Sequence, residues 1–312
     1  MMQYVDLHGY HISKLTLGTV ALGLDYGISN QAGKPGRDTS FEVLSTAIDA
    51  GINMLDTARS YGNAEELIGS FLMQNKKPVN VVTKFKFRPE ALTNKRKLWD
   101  EVYRSVRTSL DQLHLEKVPF CLFHADRHLP LNKVTEFLPD IIEDLRKDGL
   151  IDIGGISIDH PAEADLVLQY PAIEAVQIPL NVFDLRLVRN GMIERMKSRG
   201  KIVFARSVFL QGLFFMSPAD LKGNLIKAGK YIERLHHLAE QADMSIAQLA
   251  FSFVRDMEGI TSIVFGAVNA AQVTQNVQLL QGRSLGGELT ALISSSFKDI
   301  PEDIITPGLW TI

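Results

Sequence analysis

Four side chains of different chemistry stand at or just after apolar runs short enough to be strands. Asp56 ends Ile52-Asn-Met-Leu-Asp, and Tyr61 follows in Ser60-Tyr-Gly-Asn. Lys84 ends Val81-Val-Thr-Lys, and His124 ends Cys121-Leu-Phe-His. Together they make a proton-supply set. A tyrosine with a pKa near ~10 is a poor acid at neutral pH. An adjacent ammonium favours the phenolate and lowers that pKa, and a carboxylate keeps the ammonium charged and oriented. An imidazole can hydrogen-bond a carbonyl oxygen and steady the developing alkoxide. Taken singly, Asp56 could cap a turn, Lys84 could be solvated, and Tyr61 and His124 could be structural. Their ordered placement at successive strand ends is what points to polarising a carbonyl and protonating its oxygen.

The elements that would bring them together are legible from the apolar pattern. Near-continuous Val, Ile, Leu and Phe runs at 14–17, 53–55, 79–84, 118–124, 151–158, 175–180, 201–207 and 260–266 read as strands buried on both faces. Between them lie stretches of helical period. Val134, Phe137, Leu138, Ile141, Ile142 and Leu145 form one stripe; Val102, Val106, Leu110 and Leu113 another; Ile246, Leu249, Ala250, Phe253 and Val254 a third. Thr39 with Glu42, and Asn63 with Glu66, have capping-box spacing. Gly149 and Gly200 read as C-caps. Eight strands alternating with helices predict an α/β fold, a (β/α)8 TIM barrel over residues 1–312 as a single domain. An N-terminal hairpin around His8-Gly9 would cap the barrel bottom, and residues 283–312 would form a C-terminal extension. The alternative, a doubly wound open sheet, lacks a Gly-x-Gly-x-x-Gly after the first strand.

Composition narrows the class. Apolar residues make up 46% of 312, enough for a sizeable core. The 33 basic and 36 acidic residues give a net charge of −3, which argues against a general nucleic-acid or anionic-membrane binder. The single cysteine, Cys121, lies in an apolar run and reads as a buried small hydrophobe. The N-terminal segment has no basic n-region or apolar h-region, and no apolar run approaches transmembrane length. The expectation is a cytoplasmic enzyme. His236-His237 reads as helix surface, and no metal-ligand spacing is found.

The stretch Gly51-Ile-Asn-Met-Leu-Asp-Thr-Ala-Arg-Ser-Tyr-Gly-Asn-Ala-Glu-Glu-Leu-Ile-Gly resembles the principal signature of the aldo-keto reductase family, and the resemblance covers nearly the whole chain. Leu17-Gly-Thr-Val-Ala-Leu-Gly with Asp25-Tyr26-Gly27 resembles the family's first strand and loop. The resemblance implies a catalytic tetrad of Asp56, Tyr61, Lys84 and His124, and NADP or NAD as cofactor. It implies that Ser157 and Gln177 hold the nicotinamide carboxamide. Ser207-Val-Phe-Leu-Gln-Gly-Leu, with Ser207, Phe209, Gln211 and Gly212, matches the loop that wraps the pyrophosphate. Gly266, Asn269, Gln272 and Asn276 match the adenosine end, while Asn269 with Gln272 also reads as a plain capping box.

Three departures from the family pattern matter. The usual asparagine after Ser157 is Ile158. The aromatic ring often stacked on the nicotinamide is replaced by Arg206, whose guanidinium can stack on a flat ring and should disfavour an oxidised, cationic nicotinamide. The turn 266–269 and Gln272 offer no charge to a 2′-phosphate; Lys222, Lys227 or Lys230 are the cations that could fold over instead.

The leading reading is therefore an NAD(P)-dependent reductase acting on a small-molecule carbonyl. Two others stay open: a cofactor-binding regulatory or partner subunit of the same fold, and a Schiff-base aldolase using Lys84. Phe85, Phe87, Ala125, Asp126, Arg127 and Leu309-Trp310 are candidates for the substrate mouth. Arg88, Arg127 and Arg206 suggest an oxygen-rich or anionic substrate. The variant loop 25–28 with Arg206-Ser-Val-Phe-Leu-Gln-Gly is similar to bacterial relatives linked to sugar metabolism.

Overall fold

The structure, a computed structural model, describes residues 1–125 and 129–312. A two-stranded antiparallel hairpin, β1 (Tyr4–Leu7) and β2 (Tyr10–Ser13), comes first. Eight parallel strands follow: β3 (Leu15–Gly18), β4 (Met54–Asp56), β5 (Asn80–Phe85), β6 (Val118–His124), β7 (Ile151–Ser157), β8 (Ala175–Pro179), β9 (Ile202–Arg206) and β10 (Ser262–Gly266). They close into a barrel in the order β10-β3-β4-β5-β6-β7-β8-β9. This is the predicted (β/α)8 barrel, with strand ends within one or two residues of the sequence expectation.

The hairpin turns on His8 and Gly9, both at positive φ (50° and 80°), as a two-residue connection between twisted strands requires. It plugs the N-terminal end of the barrel. Tyr10 packs on Phe120 with ring centroids 4.6 Å apart, and Ile12 joins Met54, Val82, Phe120, Leu122 and Phe204 in the inner core. A second, larger apolar layer lies between the strands and the helices. Gly154 and Gly155 are there for closeness: an added Cβ would come within 2.2 Å of Ile142 and 2.1 Å of the Ala175 carbonyl oxygen. Residues 283–312 supply the helices Gly286–Ser296 and Glu302–Ile305 and a final turn, Pro307–Leu309. Among the described residues no helix is long and apolar enough to cross a membrane.

Local expectations were met unevenly. Gly149 and Gly200 follow helices at φ 73° and 63°, as read. The stripe through Val134 and Leu145 is two helices, Leu131–Thr135 and Leu138–Lys147, because Pro139 opens a new first turn. The helix Arg37–Asp49 starts before Thr39, capped at Gly36, whose carbonyl accepts the Ser40 hydroxyl at 2.8 Å. Asn63 does precede the helix Ala64–Leu72, but its side chain accepts from Lys34 instead of capping.

Candidate active site

Strand parity builds the site. In β5, Val82 joins the inner core, Val81 and Phe85 face the helices, and Lys84 therefore points inward at the top. The same alternation turns Asp56 inward after Met54, His124 after Phe120 and Leu122, and Arg206 after Ile202 and Phe204. Registers Gly18↔Asp56, His124↔Ser157, Ser157↔Gln177 and Gly266↔Gly18 place the C-terminal strand residues in one rim.

The structure brings the four candidate residues together. Lys84 Nζ donates to Asp56 Oδ1 at 2.7 Å and to the Thr57 carbonyl at 2.9 Å, and both side chains are buried. The same Nζ lies 5.0 Å from the centroid of the Tyr61 ring. The His124 ring stands at 89° to that ring, centroids 6.1 Å apart. Among the described residues no hydrogen bond holds the Tyr61 hydroxyl, and none holds His124 Nδ1.

The electrostatics differ from the expectation at Tyr61. Burial, then the Asp56 charge, pushes the phenol well above its ordinary range. The Arg206 guanidinium opposes this rise without cancelling it, while the Lys84 ammonium is shared with Asp56 and Thr57 and lies against the ring. Burial likewise pulls the ammonium below its usual value, opposed chiefly by Asp56. His124 is held down to about 2 by burial and by Lys84, Lys86 and Arg206, so its imidazole is neutral.

Around this set lie the residues read as cofactor contacts. The Ser157 hydroxyl donates to Gln177 Oε1 at 3.1 Å, and Gln177 Nε2 donates to Asp56 Oδ1 at 2.7 Å. Arg206 is not a bare cation: it is ion-paired with Asp159 and also donates to the Ile158 carbonyl at 3.1 Å. Burial alone would weaken its charge; Asp159 outweighs that and holds its pKa above the ordinary arginine value. The loop after β9 is wound through positive φ at Ser207 (63°), Leu210 (47°), Gln211 (54°) and Gly212 (91°). Phe209 packs on Phe215 beside it. In the turn after β10, Asn269 accepts from the Gln272 amide at 2.9 Å, and Gln272 Oε1 accepts from the Val268 amide at 2.9 Å. The capping reading is thus met. Asn276 Nδ2 donates to the Gln272 carbonyl at 2.8 Å, and its buried Oδ1 has no partner among the described residues. Gly266 is exposed, and a Cβ there would meet nothing. The left-handed loop after β9 and the unpaired buried amide oxygen of Asn276 fit a dinucleotide.

Residues 14–286 match the Aldo/keto reductase family. The chain belongs to that family. This aldo-keto reductase is accordingly an NAD(P)-dependent enzyme. It is 24% identical over 305 residues to an uncharacterized oxidoreductase, YqkF, of Bacillus subtilis, covering 93% of this chain and 94% of the relative. It is 25% identical over 300 residues to the NADH-specific methylglyoxal reductase of Escherichia coli (86% and 90%). The L-glyceraldehyde 3-phosphate reductase of Escherichia coli is 24% identical over 328 residues (92% and 91%). Among solved structures, the glycerol dehydrogenase of Gluconobacter oxydans superposes with a TM-score of 0.72 at 22% identity, covering 95% and 94% of the two chains. The holo form of an aldo-keto reductase of Bacillus halodurans gives 0.74 at 20% identity, covering 95% and 96%.

Two residues read as lining this reductase's mouth do not. Phe85 and Phe87 are 1% and 3% exposed and pack on Phe123, because parity and the turn after β5 send them into the helix layer. Ala125 is buried, and Asp126 and Arg127 lie outside the described residues. Arg88 is paired with Glu101. Trp310 donates to the Ile304 carbonyl, and the Leu309 carbonyl accepts from Asn224, which fastens the tail to the segment after β9. Lys227 is paired with Asp303, and Lys230 lies on the Tyr231 ring. Sequence reasoning passed over Asp159, the partner of Arg206. It stands two residues past Ser157, and strand parity carried past the strand end was the signal available.

Proposed function

We propose that this chain reduces a small aldehyde or ketone to the alcohol, with Tyr61 giving its proton to the carbonyl oxygen. The observation that carries this reading is the buried Lys84–Asp56 pair under the ring of Tyr61, with the neutral His124 set across it. The reduced nicotinamide, when bound, supplies hydride to the carbonyl carbon. Tyr61 stays protonated until the oxygen acquires negative charge, which is the condition for a general acid. His124 donates an N–H to that oxygen and aims the carbonyl at the phenol. As Tyr61 yields its proton, the ammonium of Lys84 stabilises the phenolate, and Asp56 keeps the ammonium in place. Ser157 and Gln177 would orient the carboxamide. Arg206 would flank the ring, Ser207, Phe209, Gln211 and Gly212 the pyrophosphate, and Gly266, Asn269, Gln272 and Asn276 the adenosine.

Two relatives are named for short, oxygen-rich aldehydes, methylglyoxal and L-glyceraldehyde 3-phosphate. We take that class as the substrate range, and the Asp159–Arg206 pair offers it both an acceptor and a donor. One of these relatives is NADH-specific by name, and the uncharged turn 266–269 is consistent with the same leaning here. A Schiff base at Lys84 finds little support, since its buried Nζ donates to two oxygens. The test is loss of reduced cofactor with a panel of short aldehydes. Cofactor binding without turnover on any of them would favour a regulatory subunit.

A further inference from the structure

The segment that carries Tyr61 is fastened to the strand that carries Lys84 by polar contacts on the outer face of the barrel. Glu65, in the first turn of the helix Ala64–Leu72, is 1% exposed. Its Oε1 accepts the Thr83 hydroxyl at 2.5 Å, and its Oε2 pairs with Arg59 Nη1 at 2.5 Å. The Arg59 amide in turn donates to the Lys84 carbonyl at 3.1 Å. These three contacts close a ring. Tyr61 lies between Arg59 and Glu65 in sequence and is held there by its amide to the Ala58 carbonyl and its carbonyl to the Ala64 amide. Thr83 and Lys84 are adjacent in β5 and face opposite sides, so whatever grips Thr83 from outside also sets Lys84 inside.

We propose that Glu65 is a positioning residue: its buried carboxylate closes this ring and so sets Tyr61 against Lys84. The inference rests on the proton-donor role given to Tyr61 above. A buried ion pair is poor evidence for stability alone, because desolvation offsets much of its attraction. Here the same carboxylate also takes the Thr83 hydroxyl, and that bond ties the helix Ala64–Leu72 to β5. Its field also reaches Lys84, favouring the charged ammonium that burial opposes.

Thr83→Val removes only the donor to Glu65, Thr83→Ser keeps it, and Glu65→Gln removes the charge. Thr83→Val and Glu65→Gln should lower kcat about tenfold or more, since a misplacement near 1 Å costs up to ~100-fold. KM for the aldehyde and Kd for the cofactor should stay close to those of the parent, Thr83→Ser should restore the rate, and exchange of the Arg59 amide should quicken in Thr83→Val. Parent-like kcat in folded Thr83→Val, or equal losses in Thr83→Val and Thr83→Ser, would overturn the proposal. If Glu65→Gln does not fold, the Thr83 pair decides. If the parent turns over no aldehyde, the proposed function fails separately, and an unchanged Arg59 amide exchange rate in Thr83→Val then overturns the ring.

Discussion

Gln177 donates its side-chain amide to Asp56 at 2.7 Å, on the same oxygen that receives the Lys84 ammonium. One carboxylate oxygen therefore links Gln177, proposed above to orient the carboxamide, to the Lys84 ammonium of the proposed proton-supply set. Gln177→Leu should weaken cofactor binding and also slow turnover at saturating cofactor. The expected loss is about tenfold or more, since a hydrogen bond to a charged group is worth about 1.5–3 kcal/mol. Turnover unchanged at saturation would reduce Gln177 to a cofactor holder.

Tyr61→Phe should cost at least ~100-fold in turnover while cofactor binding is kept, because general acid catalysis contributes about 10²–10⁴. Cofactor titration and steady-state rates on the same folded sample decide it. Parent-like turnover, with chemistry shown to limit the rate, removes Tyr61 from the role.

His124 should leave no mark on the rate near its ordinary pKa of about 6.5, because burial and neighbouring cations hold it down to about 2. The sign for stability follows. Between the folded and unfolded values the unfolded chain binds the extra proton, so stability rises with pH and is lost as pH falls from about 6.5. His124→Gln should flatten that part of a Tm-against-pH curve. A kcat limb near neutrality that vanishes in His124→Gln would contradict the neutral assignment.

Arg206 and Asp159 form an ion pair, so the charge beside the expected nicotinamide position is balanced. Arg206→Tyr leaves an unpaired carboxylate and should shift the ratio of affinities toward the oxidised, cationic cofactor. Asp159→Asn bares the guanidinium and should shift it toward the reduced form, with the double variant near the parent. Equal ratios in all four proteins would place the pair away from the ring.

Cofactor choice should lean to NADH. The turn after β10 carries no cation, and Lys227 and Lys230 are engaged elsewhere. The check is kcat/KM for NADH and NADPH with one aldehyde at fixed ionic strength. A preference for NADPH above ~100-fold, about 2.7 kcal/mol, would require a basic contact to the 2′-phosphate.

Much of the site was legible because strands buried on both faces announce themselves as unbroken apolar runs, and the polar residue that ends each run stands out. Asp56, Lys84 and His124 were found that way, Ser157 through the family resemblance, and Asn269 with Gln272 by capping spacing. Phe85 and Phe87 were misplaced because an apolar residue near a strand end reads the same whether it faces the mouth or the helix layer. The break between Thr135 and Leu138 was hidden because the apolar stripe continues across it while Pro139 restarts the helix.

What the sequence by itself determined is the order of eight strands, the polar residues at the ends of several of them and the signature around Tyr61, all consequences of period and residue type along one chain. What only the tertiary structure decided is which partners meet across strands: Gln177 on Asp56, Asp159 on Arg206, and Glu65 on Thr83 and Arg59. Their separations in sequence are set by the barrel's closure and register, and no local pattern encodes them. The direction of the Tyr61 and His124 shifts also lay beyond the sequence. Burial depth and the place where Lys84 spends its charge outweigh the bare presence of an ammonium nearby.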